Sequence, residues 1–209
     1  MIKAKEINNL ANREGVRQQQ IEKDYIISWI LWGIYNNETL KDALIFKGGT
    51  CIKKVHLEDY RYSEDMDFTL NPDKEQDISY DEIYSAFNEL FAEIKEAANI
   101  NLSIPEDSKE THESGSIKFF IEYIGPLGGK GDNVKTDISR WEKLEFDVEH
   151  RTMLNRYSDL EEEGDVSEIM LQLPYMNSFE RMLHFFKMMD IIGRSNTNIQ
   201  LASRDYIRG

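Results

Sequence analysis

The residues best suited to chemistry lie in two nearby segments, a glycine turn and a pair of carboxylates. The turn is Gly48-Gly49-Thr50, and the carboxylates are Asp65 and Asp67. Side chains on a strand alternate with a period of two, so both carboxylates are expected on one face. Carboxylate oxygens suit Mg²⁺ or Mn²⁺. Because glycine has no Cβ, the turn can bring backbone N–H groups against a phosphate, and Thr50 adds a hydroxyl. Together the segments predict a divalent-metal site beside a phosphate-binding turn.

A third carboxylate, Asp137, lies in a short alternating segment, residues 134–138, and shares a face with Lys135. Two carboxylates on one strand and a third on its neighbour can hold two Mg²⁺ ions, which activate an attacking hydroxyl and steady a leaving pyrophosphate. Each signal taken alone is more often structural, since Asp-x-Asp pairs are common on surface loops. The order of turn, carboxylate pair and third carboxylate is what favours a catalytic site with Asp65, Asp67 and Asp137.

Further residues near the turn are candidates for phosphate contacts. Lys53 and Lys54 lie one helical turn beyond the glycines, and at least one of them could offset phosphate charge. Ser63 could donate a hydrogen bond to a phosphate or merely cap the local turn. Arg61 could take part in the site, but it could equally be a surface ion-pair partner. The charged run of residues 22–24 is either functional or a charge cluster at a helix start.

The elements that must position these residues are helices and strands in mixed order. Apolar spacing predicts a helix over residues 17–35 with one buried stripe, and Ser79 with Glu82 forms a capping box before a helix that ends near Asn99. Strands are expected at residues 43–46, 100–104 and 117–124, the first leading into a helix after the glycine turn. The acidic residues 157–165 are expected to be exposed.

Composition excludes several classes of protein. The chain has 209 residues, 40% of them hydrophobic, and its single Cys51 excludes an intrachain disulfide and a cysteine-based zinc site. We expect no signal peptide and no membrane span, and therefore a cytoplasmic protein. The net charge of −14 argues against indiscriminate nucleic-acid coating, although residues 1–56 carry nine Lys/Arg against six Asp/Glu. A cationic face made from the two ends of the chain is consistent with this distribution.

The chain resembles the AbiEii/AbiGii toxin group of nucleotidyltransferases, which includes the MenT toxins and belongs to the DNA-polymerase-β-like superfamily. Four segments carry the resemblance: residues 21–25, 46–50, 61–68 and 135–138. The resemblance implies that Asp65 and Asp67 bind the catalytic metals. It also implies that Lys135 and Asp137 stand where the family's Lys-x-Asp supplies the third acid.

The C-terminal part matches the family more loosely. Lys187, Arg194 and the pair Arg204-Asp205 reproduce the family spacing, which implies that Lys187 contacts the nucleotide phosphates and that Asp205 belongs to the nucleotide site. Phe186 stands where the family has Glu, and Gly209 where a further Asp is usual. Lys187 could instead extend from an apolar helix without a functional contact.

The fold implied is α+β, with a polymerase-β-like core made of a small mixed sheet flanked by helices. We place this core at residues 1–145, followed at 146–209 by the start of a mainly helical region that we expect to be truncated.

The function implied is transfer of a nucleoside monophosphate from a nucleoside triphosphate (NTP) to an acceptor hydroxyl, the 3′ end of tRNA in related toxins. Such a toxin acts in a toxin–antitoxin or phage abortive-infection system, with a cognate antitoxin encoded nearby. Two alternatives stay open: an interaction module that binds GTP or another NTP with little turnover, and an enzyme that nucleotidylates protein.

Overall fold

The computed structural model describes residues 1–74, 77–129, 131–144, 148–162 and 169–171, the backbone alone at 161 and 162. The described residues all belong to one compact unit, Met1–Leu173. Two predicted nucleotide-binding residues, Lys187 and Asp205, lie outside the described residues. The same is true of the predicted helical region beyond residue 171.

Helices and strands alternate irregularly along the chain. The helices are α1 (Ala4–Glu14), α2 (Gln18–Asn36), α3 (Gly48–Cys51), α4 (Tyr80–Ala98) and α5 (Ser158–Glu162), and α3 continues into a π-helical turn at Ile52–His56. The strands are β1 (Leu44–Lys47), β2 (Asp65–Leu70), β3 (Asn101–Ser103), β4 (Glu110–Thr111), β5 (Ile117–Ile124), β6 (Asp132–Ser139), β7 (Glu149–Arg151) and β8 (Ile169–Leu171). None of the described helices is long and apolar enough to cross a bilayer.

The strands form a single mixed sheet in the order β3-β5-β6-β2-β1-β8-β7, with β4 beside β5. Two neighbouring pairs are parallel, β2 with β6 and β1 with β8, and the other pairs are antiparallel. The mixed sheet flanked by helices confirms the predicted fold class. Strands β7 and β8 extend the sheet beyond residue 145, where the sequence suggests that the core ends.

One face of the sheet is apolar and packs against α4. Along β5, Ile117, Phe119, Ile121 and Tyr123 are buried, and the residues between them are not. The ring of Phe119 packs edge-on against Phe87 of α4, with 5.2 Å between ring centroids. Burial of this face is the main stabilisation of the fold, because apolar surface removed from water contributes about 25 cal/mol per Å². The opposite face is left for polar side chains.

Helix α2 is buried on more than the single stripe that its sequence pattern predicts. Ile26, Ile27, Ile30 and Leu31 all have no exposed surface, although they point in different directions around the helix. The helix contacts α1, α4 and β6, so neighbours cover it on several sides. A helix that is apolar nearly all round is typical of such a central position.

Two further predictions about elements have opposite outcomes. The capping box is confirmed, since Ser79 Oγ accepts from the N–H of Glu82 and the Glu82 carboxylate accepts from the N–H of Ser79. The expectation that residues 157–165 are exposed is wrong for Tyr157 and Leu160, which are fully buried. The ring of Tyr157 packs edge-on against Tyr25, and its hydroxyl is satisfied in the interior by donating a hydrogen bond to the buried carboxylate of Asp24, at 2.6 Å.

Candidate functional site

The glycine turn lies directly against the carboxylate strand. Gly48 has φ +78°, and a Cβ on it would lie 2.5 Å from Oδ2 of Asp67. A Cβ on Gly49 would lie 3.3 Å from Oγ of Ser63. The hydroxyl of Thr50 donates to the main-chain carbonyl of Asp65. The turn therefore needs glycine at residue 48, both for its left-handed backbone and for its close approach to Asp67.

Four strands present one continuous row of charged residues on the polar face. The register places Lys47 opposite Asp67, Asp67 opposite Asp137, and Asp137 opposite Lys118. Neighbouring strands lie about 4.8 Å apart, so the two aspartates of the row are adjacent. The next row, two residues away, places Asp65 opposite Lys135 and Lys135 opposite Phe120. The structure thus brings Asp65, Asp67, Asp137 and Lys135 together.

The electrostatics of these rows are those of crowded carboxylates. Burial raises the pKa of Asp67, and the charges of Asp137 and Asp65 raise that pKa further, against the lowering effect of Lys135 and Lys47. Lys135 forms an ion pair with Asp137, with 2.5 Å between Nζ and Oδ2. The hydrogen bond to Asp137 raises the pKa of Lys135. A cation bound beside Asp67 would relieve this repulsion between its carboxylate and those of Asp137 and Asp65.

The donor set fits a divalent cation in its chemistry, because all three side chains are carboxylates and share one face of neighbouring strands. The glycine turn also leaves room for an ion, since Gly48 leaves open the space beside Asp67 that a Cβ would fill. Among the residues that the structure describes, however, no set of three or more His, Cys, Asp or Glu side chains is gathered closely enough to hold a metal ion. Lys135 engages one oxygen of the third carboxylate, so Asp65, Asp67 and Asp137 stay a predicted ligand set.

A second polar network on the same face was not predicted from the sequence. The ammonium of Lys47 donates to Ser139 Oγ at 3.1 Å and forms an ion pair with Glu142. Thr69 Oγ1 also donates to Glu142, at 2.7 Å. The available signal was a lysine directly after the apolar run of β1, since Lys47 is the one residue of Leu44–Lys47 that is not buried. No sequence pattern connects Glu142 to Lys47.

Lys53 is not brought to the carboxylates. Only 4% of this lysine is exposed, and its ammonium donates to the main-chain carbonyls of Glu58 and Tyr60, both at 3.0 Å. The same ammonium lies over the ring of Tyr62, 3.9 Å from its centroid. In this structure Lys53 therefore shapes the loop before β2, and its predicted phosphate contact has no geometric support.

The charged run at residues 22–24 is largely structural. Asp24 is 2% exposed, and its Oδ2 lies 2.7 Å from Nζ of Lys54, which is 3% exposed. Lys54 also donates to Ser28 Oγ at 2.7 Å. Lys23 forms ion pairs with Glu64 at 3.3 Å and Asp132 at 3.2 Å. These contacts tie α2 to the helical segment after the glycine turn and to the starts of β2 and β6.

Cys51 is buried within the helix that follows the glycines. Burial raises the pKa of its thiol to about 12, so the thiolate is not available at neutral pH. A nucleophilic role for Cys51 is therefore excluded by its surroundings, and its small side chain serves packing.

Two solved structures from Helicobacter pylori are similar to this chain. One is the crystal structure of JHP933, with a TM-score of 0.44 and 14% identity, covering 75% of this chain and 53% of that one. The other is described as a candidate nucleotidyltransferase, with a TM-score of 0.43 and 13% identity, covering 75% of this chain and 55% of that one. The chain thus spans about half the length of these proteins. A search of curated proteins gave no match.

A family model gives the assignment. The model of the nucleotidyl transferase AbiEii toxin, a component of type IV toxin–antitoxin systems, matches residues 29–174. The matched region includes the glycine turn, β2 with its two carboxylates, and β6 with Asp137. Since the match covers more than half of the chain, this protein belongs to the AbiEii family of nucleotidyl transferase toxins.

Proposed function

We propose that the chain is a metal-dependent nucleotidyltransferase that moves a nucleoside monophosphate from an NTP to an acceptor hydroxyl. The observation that carries the proposal is the register of β2 and β6, which sets Asp67 beside Asp137 with Asp65 on the same face. The glycine turn against Asp67 adds a place for phosphate oxygens. Family membership supports the same reaction class.

The proposed cation is Mg²⁺ or Mn²⁺, held by Asp65 and Asp67, with Asp137 as a third ligand when Lys135 moves away. When bound, such an ion neutralises charge on the reacting phosphate and lowers the pKa of a bound hydroxyl. Lys135 lies on the same face as all three carboxylates, so its ammonium can leave Asp137 and contact a phosphate oxygen of the bound NTP instead. NTP binding would thereby free the Asp137 carboxylate to become the third metal ligand.

The proposed reaction is an in-line displacement at the α-phosphorus. The acceptor oxygen forms a bond to phosphorus, the bond from phosphorus to the oxygen bridging to the β-phosphate breaks, and pyrophosphate leaves with that electron pair. The hydroxyl proton passes to a carboxylate of the row, for which we propose Asp137. Lys47, opposite Asp67, and the turn at Gly48 and Gly49 would hold the triphosphate on the β1 side. Thr50 and Ser63 line the same turn.

The finer parts of the proposal rest on the family resemblance. They are a tRNA 3′ end as acceptor, a cognate antitoxin that limits the activity, and action in the cytoplasm, where NTPs and tRNA occur together. Lys187 and Asp205 stay proposed nucleotide contacts from residues outside the described part of the chain.

Incubation with labelled NTPs, Mg²⁺ and total tRNA tests the proposal. We expect label to enter RNA with the wild-type protein and not with Asp65→Ala. Asp107→Ala, at an exposed residue of the short 3₁₀ helix Glu106–Ser108, serves as a control with full activity. Binding of GTP or another NTP without any product would contradict transfer and support an interaction module. Label entering protein in a cell extract, with none in RNA, would support nucleotidylation of protein.

Gly48→Ala is expected to lower transfer about a hundredfold, because its Cβ would displace the Asp67 carboxylate and a shift of about 1 Å in a reacting group costs on that order. Gly15→Ala is the matched control, because Gly15 has φ +68° and a Cβ added there would meet no atom within 4 Å. Both changes should cost about 1–2 kcal/mol of stability from the left-handed backbone. Transfer rates and Tm are measured for both variants. Equal activity of the two would contradict the role of Gly48 in the close approach of the turn to Asp67.

A further inference from the structure

The proposed reaction needs an acceptor site on the polar face of the sheet, on the side away from the triphosphate. An in-line displacement requires the entering oxygen and the leaving pyrophosphate on opposite sides of the α-phosphorus. If the glycine turn and Lys47 hold the triphosphate on the β1 side, the acceptor approaches from the other side of the Asp67–Asp137 pair. The strand on that side is β5, since the order is β1-β2-β6-β5.

Strand β5 presents two suitable side chains beside the carboxylates. Lys118 is the cross-strand partner of Asp137, and Phe120 is the partner of Lys135. Both are at the alternate positions of β5, on the face opposite the buried Phe119. They stand about 10 Å from the β2 carboxylates, two strand spacings away, which is within the reach of one nucleotide.

Phe120 is unusual for its place in the sheet. Its neighbours along and across the strand on this face are charged, namely Lys118, Glu122 and Lys135, and the residue is partly exposed. The core lies on the other face, where Phe119 packs against Phe87 and Tyr84. Burial in the core therefore does not explain a phenyl ring here, whereas a partly exposed ring beside two lysines suits a stacked base.

Lys118 is available for exchange. It forms an ion pair with Glu110 on β4, with 2.6 Å between Nζ and Oε2, and Glu110 has a side chain that is 52% exposed. Surface pairs of this kind are weak, so a phosphate can replace the Glu110 carboxylate at little cost. The exchange would leave the ammonium charged and facing the polar side of the sheet.

We propose that Lys118 and Phe120 form the acceptor site of the enzyme, and that it takes the 3′ end of a single-stranded RNA. Phe120 stacks on a base near that end, and Lys118 contacts a backbone phosphate, so that the terminal hydroxyl points toward Asp137. The inference rests on the proposed function and identifies the side of the site on which its acceptor binds. A protein acceptor would not need a stacking ring between two lysines.

Anisotropy of a labelled short single-stranded RNA with a free 3′ hydroxyl measures acceptor binding without turnover. Phe120→Ala should weaken RNA binding about tenfold and Phe120→Trp should preserve it, because base stacking tolerates any large ring. Lys118→Ala should weaken binding and reduce the slope of log K against log salt by about 0.7. Lys95→Ala, on α4 at the other face, is the charge-matched control and should bind as the wild type does.

The same variants separate this inference from the proposed reaction. Binding of a non-hydrolysable NTP with Mg²⁺ should be unchanged in Phe120→Ala and Lys118→Ala, and the KM for RNA should rise while the KM for NTP does not. RNA binding that is unaffected by either change, with Tm preserved, would overturn the acceptor site even if transfer occurs. If the wild-type protein transfers no nucleotide but Phe120→Ala loses RNA binding, the proposed reaction is overturned and the RNA site is supported.

Discussion

Asp67→Asn is expected to reduce nucleotidyl transfer at least about a thousandfold, a loss of about 4 kcal/mol of transition-state stabilisation. Asp67 is the carboxylate that faces Gly48, lies opposite Lys47 and is in register with Asp137. Asparagine keeps the size and one oxygen but removes the charge that would hold a cation. Initial rates with labelled NTP and RNA measure the effect.

The same substitution should leave the protein at least as stable as the wild type at neutral pH. Burial, with the charges of Asp137 and Asp65, raises the pKa of Asp67 in the folded protein. A carboxyl with a raised folded-state pKa contributes stability only at low pH and loses it as the pH rises, so its ionised form is unfavourable at pH 7. Removing that charge relieves the repulsion. A Tm well below that of the exposed control Asp107→Asn would attribute lost activity to unfolding and contradict the catalytic assignment.

Lys54→Met should be strongly destabilising, by about 3–5 kcal/mol or roughly 10 °C in Tm. Burial alone would raise the pKa of Asp24, but Lys54, by its charge and hydrogen bond, and Tyr157 outweigh burial and hold that pKa below its ordinary value. Burial lowers the pKa of Lys54, while the charge of Asp24 and the hydrogen bond to it raise that pKa. The 2.7 Å contact between Lys54 Nζ and Asp24 Oδ2, with the further hydrogen bond to Ser28, is the geometry of an ion pair. Without Lys54 the buried Asp24 carboxylate would lose its ion-pair partner and keep only the weaker influence of the Lys53 and Arg156 charges.

The pH dependence of the Lys54→Met protein gives an independent check. With Lys54 absent, burial would raise the folded-state pKa of Asp24 above its ordinary 3.8, so stability is retained at low pH and lost as the pH rises. The difference in Tm from the wild type should therefore be larger at pH 8 than at pH 5. A difference that is independent of pH would contradict the buried-charge explanation.

Two matched variants localise the effect to the ion pair. Lys53→Met removes a neighbouring buried ammonium whose hydrogen bonds go to carbonyl oxygens, so it should cost less, about 1–3 kcal/mol. The double variant Asp24→Asn with Lys54→Met should recover part of the loss, since no charge is left unpaired. A double variant less stable than Lys54→Met alone would contradict the pairing.

Elements with a strong local pattern were predictable from the sequence. The capping box at Ser79 and Glu82 gave the start of α4, and Asn99 at φ 55° ends it, as expected. Strand β5 occupies the residues that alternate in sequence, Ile117–Ile124. These features depend on contacts between residues close in the chain, so few alternatives compete. The burial of Tyr157 was missed because its partner Asp24 is far away in sequence.

The sequence by itself determined the parts of the site that depend on local geometry. The period of two puts Asp65 and Asp67 on one face of β2, and Gly48 permits a left-handed backbone that L side chains resist. Motif order also led to the correct family, as the match over residues 29–174 confirms. None of this required knowing which strands are neighbours.

Only the tertiary structure decided which residues share the site. The register of β2 with β6 and of β6 with β5 set Asp67 beside Asp137 and Lys118 in one row, although these residues come from distant parts of the chain. The same packing turned Lys53 away toward carbonyl groups of its own loop. The physical reason is that strand pairing and register are fixed by burial of a whole face, to which all strands contribute, and not by the spacing within any one of them.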